Sequence, residues 1–251
     1  MDLKVILKKE QRMLVFFLVA ALLLFLTLIS LLVAVGCEAQ QRPVEQKIIA
    51  DVRGYLYYGE GVNAFRDCDG EEEFLVVTDN LNIDLWQTYS DLAPDYYFPV
   101  YVEMRVRILV NEQEDLGGDY AGGIIIEELY HMAYETRGCQ ADKDYKFFLN
   151  GTEPFWDITI DEQSGVFLRV LGEEEVYAPY VPANREGDSI EYMLMSGSSP
   201  ITIKLRKVDT FCSMSGAYFA YSAFVSFKDH SYYGQGMPGE QFLLVDSQLR
   251  L

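Results

Sequence analysis

The feature that most limits this chain is a long uncharged segment near its start. Residues 13–36, MLVFFLVAALLLFLTLISLLVAVG, contain no charged side chain and follow the basic stretch LKVILKKEQR. A membrane span needs about 20 apolar residues, whereas the core of a signal peptide usually has only about 7–15. A basic start followed by such a run enters the membrane with its positive end inside. Residues 1–36 are therefore predicted to form a signal peptide or anchor helix, and residues 38–251 to face the non-cytoplasmic side.

Cys37 suggests that lipid, rather than a retained helix, is the anchor. Ala34-Val35-Gly36-Cys37 resembles the bacterial lipobox, in which small residues before a cysteine admit the lipidating and cleaving enzymes. The resemblance implies that Cys37 is the lipid-bearing first residue of the mature protein, each buried methylene contributing about 0.8 kcal/mol. The alternative is an uncleaved membrane helix with an incidental cysteine at its edge. Glu38, in place of Asp, favours sorting onward to the outer membrane.

Charge excludes one class of partner. The whole chain carries −19 and residues 1–36 contribute a net +2, so the remainder carries −21. Such a domain repels phosphate backbones, which excludes nucleic acid. A specific cation site needs converging carboxylates, and the spacing of the acidic residues indicates none. The acidity still leaves a divalent-cation binder as an alternative function.

Beyond a polar tether at residues 37–47, the sequence has the pattern of an all-β protein. YVEMRVRILV, residues 101–110, alternates apolar and charged residues, which is typical of a half-buried strand. Further strand candidates are EFLVV at 73–77, GGIIIEELYHM at 122–132, PFWDITI at 154–160, GVFLRVL at 165–171 and PITIKLRKV at 200–208. Glycine-rich turn signals separate them, as in small barrels or sandwiches. A short helix is expected near residues 80–92.

Two domains are predicted rather than one. The polar segment TRGCQADKDYK, residues 136–146, lies between two strand-rich blocks, each of a size that suits a small β-barrel. The predicted domains are residues 48–139 and residues 140–251.

The first block resembles a known domain. RGYLYYGEGVNAFRDCDGEEEFLV, followed by YFPVYVEMRVRI, is similar to the C-terminal OB-like domain of NlpE-type bacterial envelope lipoproteins. The matching residues are Gly54, Tyr55, Phe65, Asp67, Cys68, Gly70, Phe74, Val102 and Glu103. The resemblance implies that the first barrel is OB-like. The N-terminal NlpE barrel with its C-x-x-C motif is missing, so no copper or surface-sensing role is implied.

The second block resembles a domain of uncharacterised envelope lipoproteins. It shares the stretch NGTEPFW near its start and C-x-M-S-x-x-Y near its end. The matching residues are Gly151, Glu153, Pro154, Phe155, Trp156, Cys212, Met214, Ser215 and Tyr218. That family usually closes with Gly-Cys-Gly or Gly-Cys-Ala, whereas this chain has Gly234-Gln235-Gly236, so Cys212 loses the partner that the resemblance implies.

Three cysteines remain if Cys37 carries lipid. An oxidising compartment favours pairing, and the positions of Cys68 and Cys139, which bracket the first domain, favour a disulfide between them. Cys212 is then expected to be a buried free thiol. The alternative pairing joins Cys139 to Cys212 across the domain junction.

Phe155 and Trp156 are the candidate ligand-binding residues. They follow Pro154, which can begin a strand, and adjacent strand residues point to opposite faces. One interpretation is that an aromatic ring of this pair is buried at the bottom of the barrel. The other is that the pair forms an aromatic platform for an apolar or glycan ligand. Three tyrosine pairs also suit contact surfaces: Tyr57-Tyr58, Tyr96-Tyr97 and Tyr232-Tyr233.

Catalysis is not expected. His131 and His230 are the only histidines, and although Cys212 or Ser215 could be paired with His230 on paper, nothing in the sequence brings them within reach. With so few Cys and His ligands, no zinc site and no cofactor is predicted.

We expect a non-enzymatic lipoprotein of the periplasmic face, a binding or stress-related adaptor whose partner is an envelope protein or a small apolar ligand. An envelope hydrolase and a divalent-cation binder are the alternatives.

Overall fold

A computed structural model describes residues 48–70, 72–109 and 120–243. The predicted signal or anchor segment, the tether and Cys37 lie outside these residues. Within the described ranges, no helix has both the length and the apolar character that crossing a membrane requires.

The first five strands close into a barrel. Their ranges are β1 Ile48–Gly59, β2 Val62–Asp67, β3 Glu73–Asp79, β4 Val100–Leu109 and β5 Gly122–Ala133. Going round the barrel, the order is β1-β2-β3-β5-β4, and β4 pairs again with β1. All of these pairings are antiparallel except that of β3 with β5, where Phe74 lies opposite Gly122 in a parallel ladder. This closed five-stranded arrangement confirms the predicted OB-like barrel.

Helix α1, Leu85–Leu92, lies between β3 and β4 and confirms the short helix predicted near residues 80–92. It begins later than predicted because Asp84 caps it: the Asp84 carboxylate accepts a hydrogen bond from the backbone N–H of Gln87 at 3.0 Å. Leu85 and Tyr89 are buried on its inner face.

The second barrel contains the remaining nine strands. Their ranges are β6 Phe147–Thr152, β7 Phe155–Asp161, β8 Gly165–Val170, β9 Val176–Ala178, β10 Asn184–Glu186, β11 Ser189–Ser196, β12 Ser199–Phe211, β13 Tyr218–Phe227 and β14 His230–Pro238. Consecutive strands from β6 to β9 and from β10 to β14 pair antiparallel, and β14 returns to pair with β6. The result is a meander, which we call the second barrel for its likeness to one. The prediction of an all-β chain is confirmed, and the closed barrel is the five-stranded one.

The two barrels meet where β13 pairs with β5. Tyr218 lies opposite Met132, and Phe219 lies opposite His131. All fourteen described strands therefore belong to one sheet, and both barrels lie in one compact unit. A short 3-10 helix, Gly138–Gln140, precedes the second barrel. The predicted boundary between residues 139 and 140 separates the two barrels along the chain; whether they are independent folding units stays a prediction.

Strand β4 differs from its prediction in one respect. Val102, Met104 and Val106 point into the core as the alternation predicts. However, Glu103 and Arg105 on the opposite face are only 5 % exposed, so β4 is buried on both faces rather than half-buried. The cause is that Lys143 covers Glu103, while Asp51, Glu128 and Tyr130 enclose Arg105. The segment that follows β14 lies across from this face and completes the site described next.

Candidate functional site

A charged groove lies between the outer face of the first barrel and the segment that follows β14. Its volume is about 1040 Å³, which is large enough for a small ligand or several residues of an extended peptide. The lining residues are Ile49, Ala50, Asp51, Val52, Arg53, Asp67, Asp69, Glu103, Arg105, Arg107, Glu127, Lys143, Pro238, Gly239, Glu240 and Leu243. We call this site the charged groove.

The register of β1 on β4 sets a row of charge pairs along the groove floor. Asp51 lies opposite Arg105, and Arg53 lies opposite Glu103. The guanidinium of Arg105 donates two hydrogen bonds to the carboxylate of Asp51, at 2.8 and 2.9 Å. A second carboxylate, that of Glu128, lies 3.5 Å from Arg105. This fork geometry fixes both side chains, so the floor is rigid.

Further along the floor, Arg107 Nε donates to Glu127 Oε1 at 2.8 Å. At the other end, Arg53 donates to the carbonyl oxygen of Ala141 at 3.4 Å and lies 3.5 Å from the carboxylate of Glu240. Each cation of the groove therefore has an acidic neighbour within the protein.

Lys143 and Glu103 form the most deeply buried pair. Each residue is 5 % exposed, and Lys143 Nζ lies 2.5 Å from Glu103 Oε1. The contact is an ion pair without hydrogen-bond geometry, so this oxygen is buried with no hydrogen-bond donor among the described residues. Lys143 Nζ also donates to Met237 Sδ at 3.5 Å. It lies 6.0 Å from the ring centroid of Tyr101 and 5.7 Å from that of Tyr145, within the range of a cation–π contact. Such a pair is costly to break because either partner alone would be an uncompensated buried charge.

Burial in this region shifts the pKa values of nearby titratable side chains. Burial raises the pKa of the Tyr101 phenol, and the adjacent Glu103 carboxylate raises it further. Burial likewise raises the pKa of Tyr145. His131 lies on β5 opposite Glu103, and burial lowers its pKa. A neutral His131 can donate from Nδ1 to the carbonyl oxygen of Tyr218, 2.8 Å away on β13, which ties the two barrels together.

The groove has an acidic excess. Six carboxylates and four cations line it. Asp67 and Asp69 stand in the turn after β2, where Asp67 accepts a hydrogen bond from the backbone N–H of Asp69 at 3.2 Å, and neither has a cation partner among the described residues. Ile49 and Leu243 supply apolar surface. The groove therefore suits a ligand that combines apolar surface with positive charge.

The Cys68–Cys139 disulfide supports one end of the groove and confirms the predicted pairing. It joins the turn after β2 to the 3-10 helix, with 5.4 Å between the two Cα atoms. The backbone N–H of Cys68 donates to the carbonyl oxygen of Arg53 at 3.0 Å, so the disulfide also positions that arginine. The alternative pairing of Cys139 with Cys212 is wrong.

Cys212 is a free thiol, as predicted, but it is half-buried rather than buried. It follows the end of β12, where the loop leaves it partly open to solvent. Partial burial raises its pKa, but hydrogen bonds from the Ser215 side chain and from the backbone of Ser215 and Met214 outweigh this, so the net pKa is lowered.

Neither Cys212 nor Ser215 lies close enough to His230 to form a pair of nucleophile and base. Phe211, just before Cys212, lies opposite Tyr218 at one end of β13, whereas His230 lies opposite Phe227 at the other end. Nine strand steps separate those ends, about 30 Å at roughly 3.4 Å per residue.

Phe155 and Trp156 point to opposite faces, as predicted. Phe155 is 50 % exposed, whereas Trp156 is 4 % exposed and donates from its indole N–H to the carbonyl oxygen of Tyr233 at 3.4 Å. Gly151 is needed here because a Cβ at that position would lie 2.2 Å from the Trp156 indole nitrogen. The two rings are not brought together in one surface, and a ligand-binding role for them stays a prediction.

Sequence reasoning missed the groove. Its signal was present as charges of opposite sign on β1 and β4, but their pairing depends on a register that only the folded sheet supplies. Across residues 48–70, 72–109 and 120–243, no group of three or more Cys, His, Asp or Glu side chains is placed to hold a metal ion.

Comparisons of this chain with protein-family models, with curated proteins and with solved structures each return no match.

Proposed function

We propose that this chain is a non-enzymatic, lipid-anchored lipoprotein of the bacterial envelope that acts as a binding or adaptor module, with the charged groove as its binding site. The lipobox at Cys37 and the basic, apolar leader support the anchor and the periplasmic location. The observation that carries the proposal is the groove itself, a cavity of about 1040 Å³ lined by ten charged side chains, of which Glu103, Arg105 and Lys143 are each only 5 % exposed.

The proposed ligand is an extended segment of an envelope protein that carries both apolar and basic side chains. Its apolar side chains pack on Ile49 and Leu243, and a basic side chain pairs with Asp67 and Asp69. From Ile49 to Arg53 the floor extends about 13 Å along β1 at roughly 3.3 Å per residue. An extended peptide of about four residues matches this length.

Site-specific photo-crosslinking in bacterial cells tests the groove. A benzophenone amino acid at Ile49 is expected to trap a discrete adduct with another protein. The matched control places it at Met193, an exposed position on the second barrel. The combined charge reversal Asp67→Lys and Asp69→Lys should abolish the Ile49 adduct while the protein level stays unchanged. The same adduct from both positions, or none from Ile49, would contradict groove binding.

Metabolic labelling tests the anchor separately. An alkyne-bearing fatty acid is expected to label the wild-type chain, and Cys37→Ser should remove the label. Equal labelling of Cys37→Ser would contradict lipidation at this residue without bearing on the groove.

A further inference from the structure

Four aromatic side chains lie exposed together at the end of the first barrel that α1 covers. They are Tyr96, Tyr97, Phe98 and Tyr134, and we call them the aromatic patch; their exposed fractions lie between 37 % and 60 %. The ring centroids of Tyr96 and Tyr97 are 6.4 Å apart, and those of Phe98 and Tyr134 are 6.5 Å apart. Three of the four are consecutive in the chain, and clustered exposed aromatic side chains of this kind are typical of an interaction site.

The patch is held rigidly. Tyr97 has a φ of 64°, which is unusual for a bulky residue, and its backbone N–H donates to the carbonyl oxygen of Tyr58 at 2.8 Å. Its hydroxyl donates to the carbonyl oxygen of Glu60 at 3.1 Å, and its ring covers Gly59, where a Cβ would lie 2.2 Å away. Little side-chain entropy is left to lose when a partner binds.

A second layer of aromatic rings supports the patch from below. Tyr58 stacks on Trp86 of α1 with 4.7 Å between ring centroids, and Tyr96 meets Tyr58 edge-on at 6.3 Å. The hydroxyl of Tyr89 donates to the carbonyl oxygen of Phe98 at 2.5 Å. The helix therefore holds Phe98 directly through Tyr89 and supports Tyr96 indirectly, through Tyr58.

The segments that build the patch are acidic, although the guanidinium of Arg66 lies over the ring of Tyr57, 5.3 Å from its centroid. The segments 57–61, 91–98 and 134–135 build the patch, and they contain four carboxylates and no Lys or Arg. The carboxylates are Glu60, Asp91, Asp95 and Glu135. Among the described residues, none of them forms an ion pair. A guanidinium stacks on tyrosine faces while it pairs with carboxylates, a combination that a lysine ammonium serves less well.

We propose that the aromatic patch docks an arginine-containing segment of a partner protein. It is a second interaction surface, built from other residues than the charged groove. Tyr96 and Phe98 supply faces for guanidinium stacking, and Asp95 and Glu60 neutralise the charge. The partner is a polypeptide because the net charge of −21 beyond the leader repels nucleic acid.

Fluorescence anisotropy with the full-length protein in a neutral maltoside detergent tests this proposal. The probes are two fluorescein-labelled peptides of equal length and charge, an Arg-Gly repeat and a Lys-Gly repeat. The Arg-Gly peptide is expected to bind more tightly. Tyr96→Ala and Phe98→Ala should each weaken its binding about fivefold, the size of one cation–π contact at a partly exposed site. Asp95→Asn should weaken both peptides.

Tyr233→Ala is the matched control because Tyr233 is 70 % exposed on the second barrel. It should leave both affinities unchanged, and thermal melts of all the variants should match the wild type. Equal affinities for the two peptides together with no effect of Tyr96→Ala would show attraction by bulk charge only and would overturn the proposal. An equal loss in Tyr233→Ala would do the same. Concentration-dependent dimers that Tyr96→Ala abolishes, without Arg-Gly binding, would make a second copy the occupant and would also overturn it.

Discussion

Strands β4 and β12 have the same alternating sequence pattern and opposite surroundings. In β12, Lys204 and Arg206 alternate with buried Ile203 and Leu205 and are exposed to solvent. In β4, Arg105 occupies the equivalent outward position and is buried. The alternation determines which face of a strand a side chain occupies, but whether that face meets water depends on what the rest of the chain packs on it.

Neighbouring side chains explain the difference. Asp51, Glu128 and Tyr130 enclose Arg105, whereas Lys204 is exposed beside Glu191. The outer face of β4 therefore holds Glu103 and Arg105 in a buried site, where an unpaired charge is costly. Strand β12 exposes Lys204 and Arg206 to water, where pairing contributes little.

Arg105→Ala tests this comparison with the largest expected effect. The substitution removes the buried cation that Asp51 pairs with, so the free energy of unfolding should fall by about 3–5 kcal/mol. Lys204→Ala breaks the exposed pair with Glu191 and should cost less than about 1 kcal/mol. Urea denaturation of the full-length protein in detergent measures both. Similar losses in the two variants would show that the burial of β4 has no energetic consequence.

Removing the disulfide tests how far the first barrel depends on its cross-link. The double substitution Cys68→Ser and Cys139→Ser releases a loop of 71 residues and should lower the free energy of unfolding by about 4 kcal/mol. The control is Cys212→Ser in the second barrel, which breaks no bond. Addition of a reductant should destabilise the wild type and leave the double variant unchanged; a reductant effect on both would contradict the assignment.

Acid should destabilise the junction between the barrels through His131. Burial lowers its folded-state pKa below the value of about 6.5 expected for the unfolded chain. The unfolded state therefore takes up a proton first, so this contribution to stability is complete above pH 6.5 and is lost as the pH falls through the lower, folded-state value. Unfolding curves between pH 8 and pH 5 should show this loss, and His131→Gln should reduce it. If the stability of His131→Gln depends on pH as steeply as that of the wild type, other titrating groups cause the effect.

Removing the cap of α1 is the prediction with the smallest expected effect. It tests whether a local change in the first barrel leaves the second barrel undisturbed. Asp84→Ala removes the cap of α1 and should cost about 1 kcal/mol. Hydrogen exchange should increase around α1 and leave β6 to β14 unchanged. Faster exchange in both barrels would show that they unfold together.

Much of the fold followed from local sequence patterns. The strands β3, β4, β5, β7, β8 and β12 were visible as alternating or β-branched runs. The Cys68–Cys139 pairing followed from the positions of the two cysteines in the first domain. These features depend on near neighbours in the chain or on a covalent constraint.

The charged groove could not be predicted in the same way. It needs Asp51 opposite Arg105 and Lys143 opposite Glu103, contacts between residues about 40 or more positions apart in the sequence. Sequence patterns also left undecided whether Trp156 is buried. The space for its ring depends on glycines in β6 and β14, which are distant from each other in the chain.

Strand β1 is the first described element after the predicted tether, and it lies inside the first barrel with β2 on one side and β4 on the other. Any tension transmitted along the chain from a membrane anchor would enter the molecule through this strand. Nine residue pairs with β4 would carry the load side by side, in shear, rather than opening one after another from an edge. A pull along β1 would have to break these pairs together, so we expect the first barrel to resist forces that would peel away an edge strand.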